Sequence, residues 1–168
     1  MPKGSTRPRP CRKGWRALFA AFTVLLSTGA ARGANFALLV NGDPGRWSAT
    51  AEALLNSAAR DAHLRDLIAP ALNDGRTVIS DRFMDSTRAY QGHAGKCPMP
   101  LIDALEQQVV GSFRPNLTLM FDLDPGIGLQ RAKSRGQGIE DRYERKGLAF
   151  HQALREGFLT IARAEPKR

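Results

Sequence analysis

Thr77-Val78-Ile79-Ser80-Asp81-Arg82 is the stretch that most restricts how this chain can fold. Thr77, Val78 and Ile79 are β-branched, stiff at χ1 and suited to a pleated strand. They follow the turn signal Asn73-Asp74-Gly75, and as a short apolar run they predict a parallel strand covered on both faces. Such a strand needs crossover connections, which commits the chain to helices between strands. Asp81 and Arg82 then emerge at the strand's carboxyl end, the edge where open α/β sheets bind ligands.

The flanking spacing supplies those helices. From Ser48, a plausible N-cap, Leu54, Leu55, Ala58, Ala59 and Ala62 recur at helical intervals to about His63. Leu64 to Leu72 predicts a second helix with Pro70 at a bend. Pro100 opens another, with Leu101, Leu105, Val109 and Ser112 on one face and Arg114-Pro115 ending it. Leu117 to Leu123 reads as a second buried strand. Pro125 opens a helix through Leu129 and Ala132, which breaks at Gly136 and Gly138 into a charged loop. The last helix runs from about Leu148 to Ala164 with Phe150, Leu154, Phe158 and Ile161 as its buried face. Strands separated by helices imply an α/β fold with a parallel, doubly wound sheet and right-handed crossovers.

The 168 residues suit one such domain, and the net charge of +9 does not make it a nucleic-acid binder. Seven of the 25 basic residues (Lys3, Arg7, Arg9, Arg12, Lys13, Arg16 and Arg32) lie in residues 1–35, which hold no acid. Residues 36–168 keep 18 basic against 16 acidic side chains, a balance of +2. The basic start, the apolar run Ala17 to Leu26 and Ser27-Thr28-Gly29-Ala30-Ala31 together resemble a secretory signal, too short to span a bilayer. Two readings stay open: export directed by residues 1–31, or a shifted start that replaced the true amino terminus of a cytoplasmic protein. Cys11 and Cys97 form neither a disulfide framework nor a metal pair.

Taken with its flanks, Ile79-Ser80-Asp81-Arg82-Phe83-Met84-Asp85-Ser86-Thr87-Arg88-Ala89-Tyr90-Gln91 resembles the signature of bacterial thymidylate kinases: an apolar pair, Asp-Arg-aromatic, Ser, then a small residue, an aromatic and Gln or Asn. The likeness extends through Leu54 to His63, Ile68 to Leu72, Arg114 to Leu123, Asp141-Arg142, Phe150-His151 and Ala164-Glu165-Pro166, covering roughly residues 36–168. It implies a P-loop nucleoside-monophosphate-kinase fold, here expected to be incomplete at both ends. The implied reaction is phosphorylation of dTMP to dTDP by ATP with Mg2+, in a homodimer with no membrane or nucleic-acid partner. The family's Gly-x-x-x-x-Gly-Lys-Ser/Thr run does not occur; Gly92-His93-Ala94-Gly95-Lys96-Cys97 has too short a gap and Cys in place of the hydroxyl. The chain as written is therefore expected to bind dTMP weakly at best, without turnover, and a non-catalytic dTMP-binding remnant is the alternative.

Phosphoryl transfer asks mainly for positioned phosphates and neutralised charge, so arginines and a metal-holding acid near a strand end are the residues to seek. By resemblance, Arg82 grips the acceptor phosphate and Asp81 holds Mg2+ through water; a surface ion pair is the alternative. Arg60, on one helix face with Asn56 and His63, is by resemblance the arginine on the thymine, and alone would be a solvated side chain. Ser86, Tyr90 and Gln91 would line the nucleoside pocket, Gln91 serving the base edge, unless Tyr90 is a core aromatic. Arg131, Arg135 and Arg142 flank or lie in a lid over about residues 134–144, with Arg135 chosen to stabilise the transferring group and Arg142 to organise the lid through a nearby acid, while Arg131 is as readily a solvated side chain. Asp122 is a further candidate at the second strand's end, or a capping residue.

Overall fold

The computed structural model describes residues 43–134 and 142–168. Ser48 sits in extended geometry (φ −66°, ψ 155°), and its hydroxyl accepts from the Ala51 N–H at 3.1 Å. That fills one of the donors a helix start leaves open. Helix α1 follows over Ala49–His63, where the apolar spacing predicts it, with Glu52 in the first turn and Arg60 and His63 in the last. The acid suits the positive end of the macrodipole.

The chain does not stop at His63. It widens into a π-helical stretch, Leu64–Ile68, and returns to α geometry in α2, Ala69–Asn73. Pro70 supplies the reason. It has no N–H and its ring crowds the carbonyl four residues back, so the turn before it opens and the Ala69 N–H reaches Leu64 O. The expected bend is thus a widened turn. Gly75, at φ +72°, closes the path, with its N–H on Leu72 O and that of Arg76 on Ala71 O.

The strands expected at Thr77–Ser80 and Leu117–Leu123 join no sheet among the described residues. Both still alternate: Val78 and Ser80 are half-covered between exposed Thr77 and Ile79, and Thr118 and Met120 between exposed Leu117, Leu119 and Phe121. A period of two is that of a pleated strand. A ladder, however, needs a neighbour about 4.8 Å away, and none is paired with either segment within the described residues. Burial on both faces fails for the same reason: Leu119 is 72% and Phe121 91% exposed.

The remaining elements are helical. The short α3, Met84–Thr87, runs directly into a second π-helical stretch, Arg88–Ala94. Helix α4 spans Met99–Val109, α5 Pro125–Ser134 and α6 Leu148–Ala164, with a single 3-10 turn at Glu144–Lys146. Helix α4 ends earlier than Arg114-Pro115 because Gly111 turns left-handed, at φ +51°. Its deepest residues are Ile102 and Glu106, one position along from the expected face. Glu106 is drawn in by Arg88 and Arg114, with which it forms ion pairs.

Helix α6 packs along the Arg88–Ala94 stretch, and Gly157 permits the close approach: a Cβ there would lie 2.7 Å from that of His93. Leu154 and Ile161 bury against Ala89, with Tyr90, Phe150 and Phe158 around them. A second cluster joins Leu64, Ile68, Met84 and Val110, and a third Ala53, Cys97 and Ile102. Met84, at 1% exposure, contributes about 1.5–3 kcal/mol through burial alone. The Arg88–Ala94 stretch is therefore clamped between α1, α4 and α6.

Candidate functional site

Ser80 Oγ donates to Arg82 O at 2.7 Å and shapes the bend that presents Asp81 and Arg82. Both are exposed. The Arg82 guanidinium carbon lies 5.2 Å from the Tyr90 ring centroid, within range of a cation–π contact. On its other sides Tyr90 is held edge-on by Tyr143 at 5.2 Å, Phe158 at 6.2 Å and Phe150 at 6.3 Å. Tyr90 is thus a core aromatic and the platform under Arg82 at once.

The next residue, Gln91, is buried, and its amide Nε2 donates to Glu52 Oε2 at 2.8 Å, with the Tyr143 hydroxyl at 3.4 Å. Glu52, 1% exposed, gathers a shell of donors. Arg142 Nη2 reaches its Oε1 at 2.6 Å and Lys146 Nζ at 3.5 Å, while the Tyr143 hydroxyl donates to Oε2 at 3.1 Å. Burial opposes ionisation of Glu52, but the hydrogen bonds from Gln91 and Arg142 and the charges of Lys146 and Arg142 outweigh it and hold its pKa below the usual value. Burial and the neighbouring carboxylate push the Tyr143 phenol up, so it stays protonated and donates.

Arg142 is fully enclosed and also donates to the carbonyls of Asp43 and Pro44, both at 3.0 Å. It therefore ties the segment after residue 141 to α1 and to the turn before it. Arg60 lies inward, with Nη2 on Thr87 Oγ1 at 2.8 Å and on Phe83 O at 3.3 Å, and its guanidinium 5.6 Å from the Phe83 ring. Burial pulls its pKa down to about 10, while Glu106 and Asp85 pull the other way. Ser86 is half-buried in α3, on the same helical path as Tyr90.

Other candidates fall apart from this group. Arg131 stands exposed on α5, and Arg135 lies outside the described residues, as do Asp141, Cys11 and residues 1–35. Asp122 forms a two-pronged exposed pair with Arg155, both contacts at 2.6 Å. As for Mg2+, no three His, Cys, Asp or Glu cluster among the described residues. The lone exposed carboxylate of Asp81 fits an ion that keeps its waters and leans on phosphate oxygens.

Sequence reasoning passed over Glu52, Tyr143, Thr87 and the ion-pair web of Asp85, Arg88, Glu106 and Glu165. A signal for Glu52 did exist: it precedes Asn56 and Arg60 at intervals of four, on one face of α1. Nothing local marked Tyr143.

Over 92% of this chain the structure matches 71% of a crystal structure of thymidylate kinase from Ehrlichia chaffeensis, at a TM-score of 0.69 and 26% identity. The class is that of the P-loop nucleoside-monophosphate kinases. The thymidylate kinase family model matches residues 33–168, and the chain belongs to that family. The thymidylate kinase of Caulobacter vibrioides is 54% identical over 131 residues, 78% of this chain and 62% of the relative. That of Dinoroseobacter shibae is 51% identical over 131 residues, with the same two shares. For Bradyrhizobium sp. strain ORS 278 the identity is 46% over 132 residues, 78% of this chain and 58% of the relative. The chain thus spans about three-fifths of the length of the curated relatives it matches.

Proposed function

We propose that this chain carries the acceptor half of an ATP-dependent dTMP kinase, the enzyme that forms dTDP. The observation that supports it most is the Arg82–Tyr90–Gln91 run: a cation over an aromatic ring, one residue from a buried amide. In this reading an oxygen of the dTMP phosphate attacks the γ-phosphorus of ATP, ADP departs, and the charge on the equatorial oxygens must be met by fixed cations. Arg82 holds the acceptor phosphate and Arg60 supplies its remaining nitrogens to the base. Tyr90 packs beside the sugar and Ser86 borders it. Arg135, from the lid, meets the transferring group. Asp81 would hold Mg2+ through water, and the ion would neutralise charge between the two nucleotides.

The same reading assigns the period-two segments at 77–80 and 117–123 to a doubly wound parallel sheet, in a cytoplasmic homodimer. No described helix is long and apolar enough to cross a membrane. Because the sequence holds no Walker run, a second reading is dTMP binding without phosphoryl transfer. Calorimetric titration of the 168-residue chain with dTMP and with ATP, alongside a coupled ADP-release assay, tests both. Heat with dTMP supports the acceptor site, and the absence of ADP release would favour the second reading. No dTMP heat would overturn both.

A further inference from the structure

The two ends of the buried Gln91 amide are treated differently inside the protein. Its Nε2 hydrogens are taken by Glu52 Oε2 at 2.8 Å and the Tyr143 hydroxyl at 3.4 Å. An amide can be turned end for end with little change of shape, so what decides its orientation is the neighbour. Here the neighbour is a carboxylate that also accepts from Arg142, Lys146 and Tyr143. An ionised carboxylate accepts and cannot donate, so only the NH2 end of the amide can face it. The Gln91 Oε1 accepts from no described residue and is the group left over.

We propose that Glu52 is a positioning residue that locks the Gln91 amide with its oxygen outward, so that the acceptor site takes a pyrimidine carrying an N3–H donor and rejects one whose N3 is an acceptor. The inference rests on the acceptor-site reading above. Thymine and uracil offer N3–H to that oxygen. Cytosine brings a lone pair against it, and a released amide would accommodate either by turning over. Specificity of this kind is large because the wrong base leaves two buried acceptors facing each other. Glu52 touches no substrate, and its action passes through Gln91.

The test is calorimetric binding of dTMP, dCMP and N3-methyl-dTMP to the full chain and to Glu52→Gln, Glu52→Asp and Tyr143→Phe, each first checked for native circular dichroism. The parent chain should prefer dTMP over both analogues by about tenfold or more. Glu52→Gln lets the amide at 91 turn, and the preference over dCMP should fall to within about threefold, with dTMP affinity changing less than dCMP affinity. Glu52→Asp keeps the charge for Arg142 but withdraws it from Gln91, and serves if Glu52→Gln does not fold. Tyr143→Phe leaves the Glu52 contact in place and should keep the parent's preference. A folded Glu52 variant that keeps the full dTMP preference, or a parent that binds N3-methyl-dTMP as tightly as dTMP, overturns the inference while leaving the acceptor site standing. A parent that binds no dTMP overturns the acceptor-site reading and the inference with it.

Discussion

Arg142→Met removes a guanidinium from a fully enclosed site whose partner, Glu52, is 1% exposed. The variant loses the 2.6 Å ion pair and the two 3.0 Å hydrogen bonds to Asp43 O and Pro44 O. Methionine is unbranched and fills much of the vacated volume, so the cavity contribution is small. Removing one partner of a buried pair costs about 3–5 kcal/mol, because the other charge is left without compensation. Glu52 would still accept from Gln91 and Tyr143, with Lys146 at 3.5 Å, which brings the expected loss to about 3 kcal/mol. The pH dependence gives a second handle. In the parent, Glu52 has a folded pKa below its ordinary value, so it contributes stability above about pH 4.5 that is lost as pH falls through the folded pKa. Without Arg142 the opposing effect of burial gains weight and the folded pKa rises, so ionisation then costs stability as pH climbs. The gap between parent and variant should be widest near pH 7 and narrow toward pH 4. Urea unfolding followed by circular dichroism at both pH values measures it. A gap below about 1 kcal/mol at pH 7, or one of equal size at both, would refute the reasoning.

Three further outcomes follow from the same structure. Gly157→Ala gains about 1 kcal/mol of helix propensity but drives a Cβ to 2.7 Å from that of His93, where overpacking costs about 1–3 kcal/mol. The melting temperature should drop, and a rise would contradict the close packing of α6. Asp122→Asn breaks an exposed ion pair with Arg155 and should leave the urea midpoint where it was, a clear fall being the contrary result. Arg82→Met should weaken dTMP binding by about tenfold or more with an unchanged circular dichroism spectrum, since a charged hydrogen bond to phosphate is lost. Equal affinity in a titration would remove Arg82 from the site.

Local chemistry made much of this chain legible in advance. Ser48 as a cap, Pro100 near a helix start and the α6 apolar face are settled by contacts within about four residues, and the structure has all three where the sequence predicts them. Even the widened turn before Pro70 follows from a neighbour's missing N–H. The sheet is a different matter, since backbone pairing depends on a strand from elsewhere in the chain, and periodicity alone supplies none. The same holds for Glu52. Its spacing from Asn56 and Arg60 assigns it to a helix face, but its burial is decided by Gln91, 39 residues on, and Arg142, 90 residues on. Family membership, the helices and the residues of the Asp81-to-Gln91 run were thus determined by the sequence. Which end of the Gln91 amide meets Glu52, and which arginine is sealed inside, only the tertiary structure decided, because a carboxylate fixes hydrogen-bond direction only once distant donors have been brought to it.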